Sequence, residues 1–206
     1  MPDQALRVLL VEGRPEPARA LIRDLEALEF MVAGVAGDGA RACQLCAGLA
    51  PDLVLMAIDL PGGDGIQAAR ALLRQTPLPV VLLTDRADRG LLDRAQRAGV
   101  QSYLLKPVEA AVLGPALALA HHNFHRESRL ACEVADLREG LRRRKLLERA
   151  KGLIMARLRV GEAEAQARLE VLSRDQGNSL HQAAEAVVEA HNLLHRPRQR
   201  NQSPKR

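Results

Sequence analysis

Pro51-Asp-Leu-Val-Leu-Met-Ala-Ile-Asp-Leu-Pro-Gly-Gly-Asp-Gly65 joins two patterns that together point to a fold class. Its first half is a short, nearly unbroken apolar run, the pattern of a strand covered on both faces. Its second half is a Pro/Gly loop, and Ile66–Arg74 then returns to helical period. The same alternation recurs along the first 120 residues. Strand-like runs lie at Arg7–Val11, Met31–Val35, Leu53–Ile58, Val80–Thr84 and Ser102–Leu105. Helical segments lie at Pro17–Leu28, Ala40–Leu49, Ile66–Arg74 and Arg89–Ala98, with a last one from Glu109 onward. Five βα units predict an α/β fold, a doubly wound five-stranded parallel sheet with helices on both faces. In such sheets the functional crevice lies beyond the carboxyl ends of the strands, which singles out Glu12–Gly13, Ala57, Thr84 and Lys106. The opening strand runs toward its loop through Ala57, which has no chemistry.

Composition bounds the rest. The chain has 206 residues, room for one compact domain and a smaller one, and at 47% hydrophobic and 27% charged it is globular. Phe30, Tyr103 and Phe124 are the only aromatics, so the core must be Leu, Val and Ala. Nucleic-acid modules that stack bases on rings are thereby disfavoured. Three cysteines suit a reducing compartment. No secretory signal pattern is visible, and the apolar run Ala110–Ala120 is too short for a bilayer span of about 20 residues. The expectation is a cytoplasmic protein with no membrane contact. Residues 1–120 hold 12 Lys/Arg against 14 Asp/Glu, whereas residues 121–206 hold 18 against 11. A basic second half suits a polyanion, and a solvated helical tail would give the same charge balance.

From about His121 the strand signal disappears. Leu130, Val134, Leu137 and Leu141 follow coiled-coil spacing up to Glu148, with Arg144 in the seam. This predicts either a short coiled coil joining two copies or one amphipathic helix packed on its own domain. The helix is expected to continue through Arg157, with Leu147, Ala150, Ile154 and Leu158 on one face. Lys151 and the cluster Arg142–Lys145 would then point outward, and Ala150 and Gly152 would admit a close helix neighbour. A turn at Val160-Gly161 precedes a helix from Glu162 to about Asp175. Gly177 is a stop signal, and Ser179-Leu-His-Gln182 reads as a capping box for a third helix ending near His195. The basic segment 196–206 is expected to be disordered. The expected divisions are 1–120, 121–145, 146–195 and 196–206.

The opening stretch, with Val81-Leu-Leu-Thr-Asp85 and Ser102-Tyr-Leu-Leu-Lys-Pro107, closely resembles the receiver domain of response regulators, a CheY-like fold, over residues 6 to about 120. The resemblance implies a phosphoacceptor Asp at the strand end, acidic residues holding Mg²⁺, and a hydroxyl and a lysine gripping the phosphoryl group. Thr84 and Lys106 match the last two, and Lys106-Pro107 matches the family's cis-proline joint. Glu12 stands at one acidic position, but Gly13 occupies its neighbour and Ala57 the acceptor position. The implied pocket is emptied: no phosphotransfer, no metal and no cofactor are expected. Lys106 is expected to pair with Glu12. Asp59 lies two residues too far into the loop to replace an in-line acceptor, since reacting atoms must approach to about 3–3.5 Å. Asp64 is read as a loop cap. Thr84 and Tyr103 match the family's switch pair, and Tyr103 reads equally well as a half-buried strand aromatic.

The string Ala150-Lys-Gly-Leu-Ile-Met155, with Glu164-Ala165, Leu169, Leu180 and Ala184, resembles the ANTAR domain, the RNA-binding module of the AmiR and NasR antitermination regulators. The match spans roughly residues 140–192. With the receiver-like half and the helical linker, the whole is similar to regulators of the AmiR and NasT type. That resemblance implies a homodimer that binds paired stem-loops in leader RNA and so prevents terminator formation. It also implies control by a ligand-sensing inhibitory protein partner instead of phosphate. Lys151 is the first candidate RNA contact, followed by Arg149 and Arg157. Gln166 stands where the family often has an aromatic or His, and Ser173 where Ala is common. The competing reading is a DNA-binding two-component regulator. Cys43-Gln-Leu-Cys46 and His121/His125 read as helix packing and a hydrated helix face, and no catalytic constellation is visible.

Overall fold

The structure, a computed structural model, describes residues 5–86 and 89–194. In chain order the strands are β1 (Arg7–Val11), β2 (Met31–Ala36), β3 (Leu53–Ala57), the two-residue β4 (Asp59–Leu60) and β5 (Gly63–Asp64), β6 (Val80–Thr84) and β7 (Ser102–Leu105). The helices are α1 (Pro15–Ala27), α2 (Gly39–Leu49), α3 (Gly65–Gln75), α4 (Arg89–Ala98), α5 (Ala110–Leu158), α6 (Glu162–Asp175) and α7 (Leu180–Leu194). The chain forms two compact units, Met1–Arg129 and Leu130–Arg206.

In the first unit the main sheet runs β2-β1-β3-β6-β7, parallel throughout, as the alternation predicts. Strand alternation explains why the runs look apolar without a break. Val8, Leu10, Leu53, Leu55, Val81 and Leu83 face α1 and the start of α5. Their neighbours Leu9, Val11, Val54, Met56, Val80 and Leu82 face α2, α3 and α4. Both faces are buried, so no position along these strands needs a polar residue. Helices α1, α2 and α3 start one or two residues earlier than the periodicity suggests. Pro15 opens α1, where its fixed φ suits the first turn. Asp38 and Asp64 cap α2 and α3 by accepting from the backbone N–H of Arg41 and Ile66.

The expected divisions at 120/121 and 145/146 both fall inside α5, which is continuous over 49 residues. In the second unit α5 packs with α6 and α7 around Ala150, Leu169, Ala183, Ala184 and Val188. Helix α6 ends in a Schellman motif: Gly177 at φ 63° donates to the Arg174 carbonyl, and Asn178 donates to that of Ser173. Ser173 Oγ donates to the Asn178 carbonyl at 2.6 Å, which gives this serine a local role at the helix end. The capping box forms as expected, with the Ser179 N–H donating to Gln182 Oε1 at 2.8 Å and the Gln182 N–H to Ser179 Oγ at 3.3 Å. The segment expected to be disordered, 196–206, lies outside the described residues. Among the described residues no helix is long and apolar enough to cross a membrane.

Candidate functional site

The first candidate site is the crevice at the carboxyl ends of β1, β3, β6 and β7. Ala57, the last residue of β3, is 1% exposed and belongs to the apolar core. Glu12 follows β1, and its carboxylate is fully buried. It accepts from Lys106 Nζ at 2.5 Å, from the Arg14 N–H at 3.0 Å and from Arg14 Nε at 3.4 Å. Arg14 also approaches Asp85 at 3.7 Å. Burial by itself pushes the Glu12 carboxyl up; the Lys106 ammonium and the Arg14 N–H outweigh it, so the group sits below its ordinary value. The expected Glu12–Lys106 pair is therefore present. Lys106-Pro107 is cis, as the resemblance implies.

Gly13 carries the closing observation. A Cβ placed there would lie 2.0 Å from Pro61 Cδ, 2.3 Å from Pro61 Cγ and 2.9 Å from the Gly37 carbonyl oxygen. Pro61 is held in place by the β4–β5 hairpin, in which Asp59 pairs with Asp64 and Leu60 with Gly63. Pro61 followed by Gly62 at φ 80° is the residue pair of a type II turn. The site of a second acidic side chain is thus filled by a proline ring. Mg²⁺ in this fold needs several carboxylate oxygens converging on one point. Here Ala57 and Gly13 supply none and Glu12 is committed to Lys106, so the residues do not fit the metal. Asp59 is exposed on the hairpin. The loop-capping reading of Asp64 holds: its Oδ1 caps α3 while Oδ2 pairs with Arg94.

Thr84 is buried, and its hydroxyl turns back on its own loop, donating to the Arg86 carbonyl at 2.9 Å and accepting from the Arg86 N–H at 3.1 Å. Tyr103 is half-buried against the core on the α2–α4 face. Cys43 and Cys46 are packing residues of α2, and burial pushes the Cys46 thiol up to about 11, away from the reactive thiolate. His121 and His125 stack edge to face at 4.4 Å.

The second candidate site is on the helical unit, and here the sequence-derived residues separate. Arg149 is exposed and donates to Asn192 Oδ1 of α7 at 3.1 Å; Arg157, also exposed, lines a groove with Val187 and His191 of the same helix. Lys151 does not point freely outward. Its ammonium is bound at 2.8 Å to both Glu148 and Glu162, its side chain is 12% exposed, and the two carboxylates raise its pKa. Gln166 lies one turn beyond Glu162 on α6 and donates to Glu170 at 2.8 Å. At 100° per residue, Arg149 and Lys151 project about 160° apart around α5. The four candidates therefore form two groups, one beside α7 and one among carboxylates beside α6.

Leu158, the last residue of α5, lies on the expected face and lines a groove with Ile154, and it is itself 47% exposed. One further expectation is corrected. Gly152 does not admit a helix neighbour, since a Cβ there meets nothing within 4 Å. Part of the Arg142–Lys145 cluster and Arg149 belong to one basic stripe that begins a turn earlier, at Arg138, a residue the sequence reading did not single out. Arg138, Arg142, Lys145 and Arg149 recur at i, i+4, i+7 and i+11, which places them within about 60° of one another on α5. All four are exposed, and none forms an ion pair among the described residues. A heptad count over charged positions would have found them. An apolar stripe of Leu130, Val134, Leu137 and Leu141, 43–64% exposed, runs along a different side of the same helix.

Comparison with known proteins agrees with both halves. The family model "Response regulator receiver domain" matches residues 8–118, and the ANTAR domain model matches residues 135–188. The transcriptional regulatory protein PdtaR of Mycobacterium tuberculosis is 37% identical over 183 residues, 89% of each chain. A protein-glutamate methylesterase/protein-glutamine glutaminase of Myxococcus xanthus is 35% identical over 111 residues, but these cover 52% of this chain and 31% of that protein. The likeness to that enzyme is confined to the receiver-like half. Among solved structures, the signal receiver domain of a modulated diguanylate cyclase from Desulfovibrio desulfuricans aligns with a TM-score of 0.57 at 34% identity, covering 60% of this chain and 99% of that one.

Proposed function

Because the chain belongs to the response regulators that join a receiver domain to an ANTAR domain, we propose that it is a transcription antitermination regulator that binds stem-loops in leader RNA. The observation that carries the reading is the basic stripe Arg138–Arg142–Lys145–Arg149. Four exposed cations over about three turns, without carboxylates to neutralise them, suit a run of backbone phosphates. Arg149 and Arg157 continue the contact toward α7. Lys151 and Gln166 are candidate contacts to loop bases, and for Lys151 this requires RNA to displace Glu148 or Glu162.

In this reading two copies pair through Leu130, Val134, Leu137 and Leu141, so that a dimer engages two hairpins. Control comes from a partner or ligand and not from phosphate, because the acceptor is Ala57 and the pocket is closed by Glu12–Lys106 and Pro61. The test is binding to a tandem-hairpin transcript across a salt series. Replacing the four stripe residues by Ala should reduce the magnitude of the log–log salt slope by about 3, at roughly 0.7–0.9 per phosphate. An unchanged slope, or tighter binding to duplex promoter DNA than to the hairpins, would overturn the proposal.

A further inference from the structure

Helices α3 and α4 lie side by side on one face of the receiver sheet, with a groove of about 590 Å³ between them. Buried Ile66 and Ala98 lie in this groove, and four arginines line it: Arg70 and Arg74 from α3, Arg94 and Arg97 from α4. All four are exposed. Arg94 is paired with Asp64; Arg70, Arg74 and Arg97 have no ion pair among the described residues.

This concentration is at odds with the rest of the unit. Residues 1–120 carry 12 basic groups against 14 acidic ones, and a third of the basic ones meet in this groove. The i,i+4 pair on α3 and the i,i+3 pair on α4 each set like charges on one helix face, where they repel. Such a cleft focuses positive potential and attracts an anion. Two packed helices lie about 8–10 Å apart, so the groove between them admits one extended chain and not a stacked duplex. No aromatic side chain lines it, so it offers no ring platform for a base. Guanidinium forks, by contrast, match carboxylates in bidentate geometry.

We propose that the α3–α4 groove docks an acidic segment of a protein partner, read by Arg70, Arg74, Arg94 and Arg97. The inference rests on the partner-control reading above and names the surface and the chemistry of that control. The test uses the full-length protein and a fluorescein-labelled oligoglutamate peptide, followed by anisotropy. Because the basic helical unit also attracts such a peptide, the readout is the difference between two charge-matched variants. R70A/R74A/R97A should weaken binding by about tenfold or more, while R19A/R23A/R41A should leave it within about twofold. The charge-reversed R70E/R74E/R97E should instead bind an oligolysine peptide that the wild type ignores. Equal weakening in both alanine variants, or displacement of the peptide from the groove by single-stranded RNA at lower concentration than by free peptide, would overturn the proposal. Hairpin binding is measured alongside. If the wild type fails to bind hairpins but keeps the groove-dependent peptide affinity, the antitermination reading falls and the groove stands.

Discussion

The contact between Gly13 and Pro61 makes the receiver pocket a closed structure and not merely a pocket lacking an acid, and this can be measured. Gly13→Ala adds one methyl. At its ideal position that methyl lies 2.0 Å from Pro61 Cδ, against a comfortable carbon–carbon separation of about 3.5–4.0 Å. The proline ring cannot swing aside as a flexible side chain would, so the hairpin must move by about 1.5 Å or the strand end must yield. Overpacking of this kind costs about 1–3 kcal/mol. With a urea m-value of about 1–3 kcal/mol/M, the unfolding midpoint should fall by roughly 1 M. Tyr103 is the only tyrosine in a chain without tryptophan, so its fluorescence reports on the receiver unit alone. Pro61→Ala should relieve the clash, so the double variant G13A/P61A should be at least about 1 kcal/mol more stable than the sum of the single effects. A Gly13→Ala midpoint within about 0.2 M of wild type, or strict additivity in the cycle, would refute the reasoning. The same closure predicts that Ala57→Asp alone takes no label from acetyl phosphate in the presence of Mg²⁺. Stable labelling of that variant at the restored carboxylate would show that a metal site can assemble despite Pro61.

Glu12→Gln removes the charge-assisted bond to Lys106 and should cost about 1.5–3 kcal/mol at neutral pH. Glu12 is held below its ordinary value near 4.5, so its stabilisation is present above that pH and is lost as pH falls through the folded value. The wild type should therefore lose melting temperature more steeply than E12Q on acidification below about pH 4.5; parallel profiles would count against the pair. Gly152→Ala fills open space on a helix and should stabilise the helical unit by up to about 1 kcal/mol in thermal melts, and destabilisation would mean the face is occupied. Leu137→Arg places a charge in the apolar stripe of α5. If that stripe is the dimer seam, sedimentation velocity should show a shift to monomer, and an unchanged sedimentation coefficient would exclude it.

What the sequence disclosed and what it withheld divide along a physical line. The parallel sheet was legible because burial on both faces leaves unbroken runs such as Val80–Thr84, and because short βα connections admit few topologies. The capping box at Ser179 and the stop at Gly177 were legible because their partners lie within a few residues. Side-chain commitments between distant elements were less so. Lys151 looks like a free cation on its helix, and nothing in the local string shows that Glu162, eleven residues on and across a turn, takes one side of its ammonium. Gly13 looks like a mere loss of charge, yet its meaning depends on Pro61, which a hairpin brings to it from another loop. Gly152 invited a packing explanation from its helix-breaking cost alone, and the space around it is open. The same logic applies to the α3–α4 arginines. Each is ordinary as a surface residue, and only the pairing of two helices makes their charges converge. The receiver pocket has thus exchanged a metal-dependent acceptor for an internally neutralised network of Glu12, Lys106, Arg14 and Asp85. Among the described residues, uncompensated basic groups lie instead on exposed surfaces, along α5 and in the α3–α4 groove.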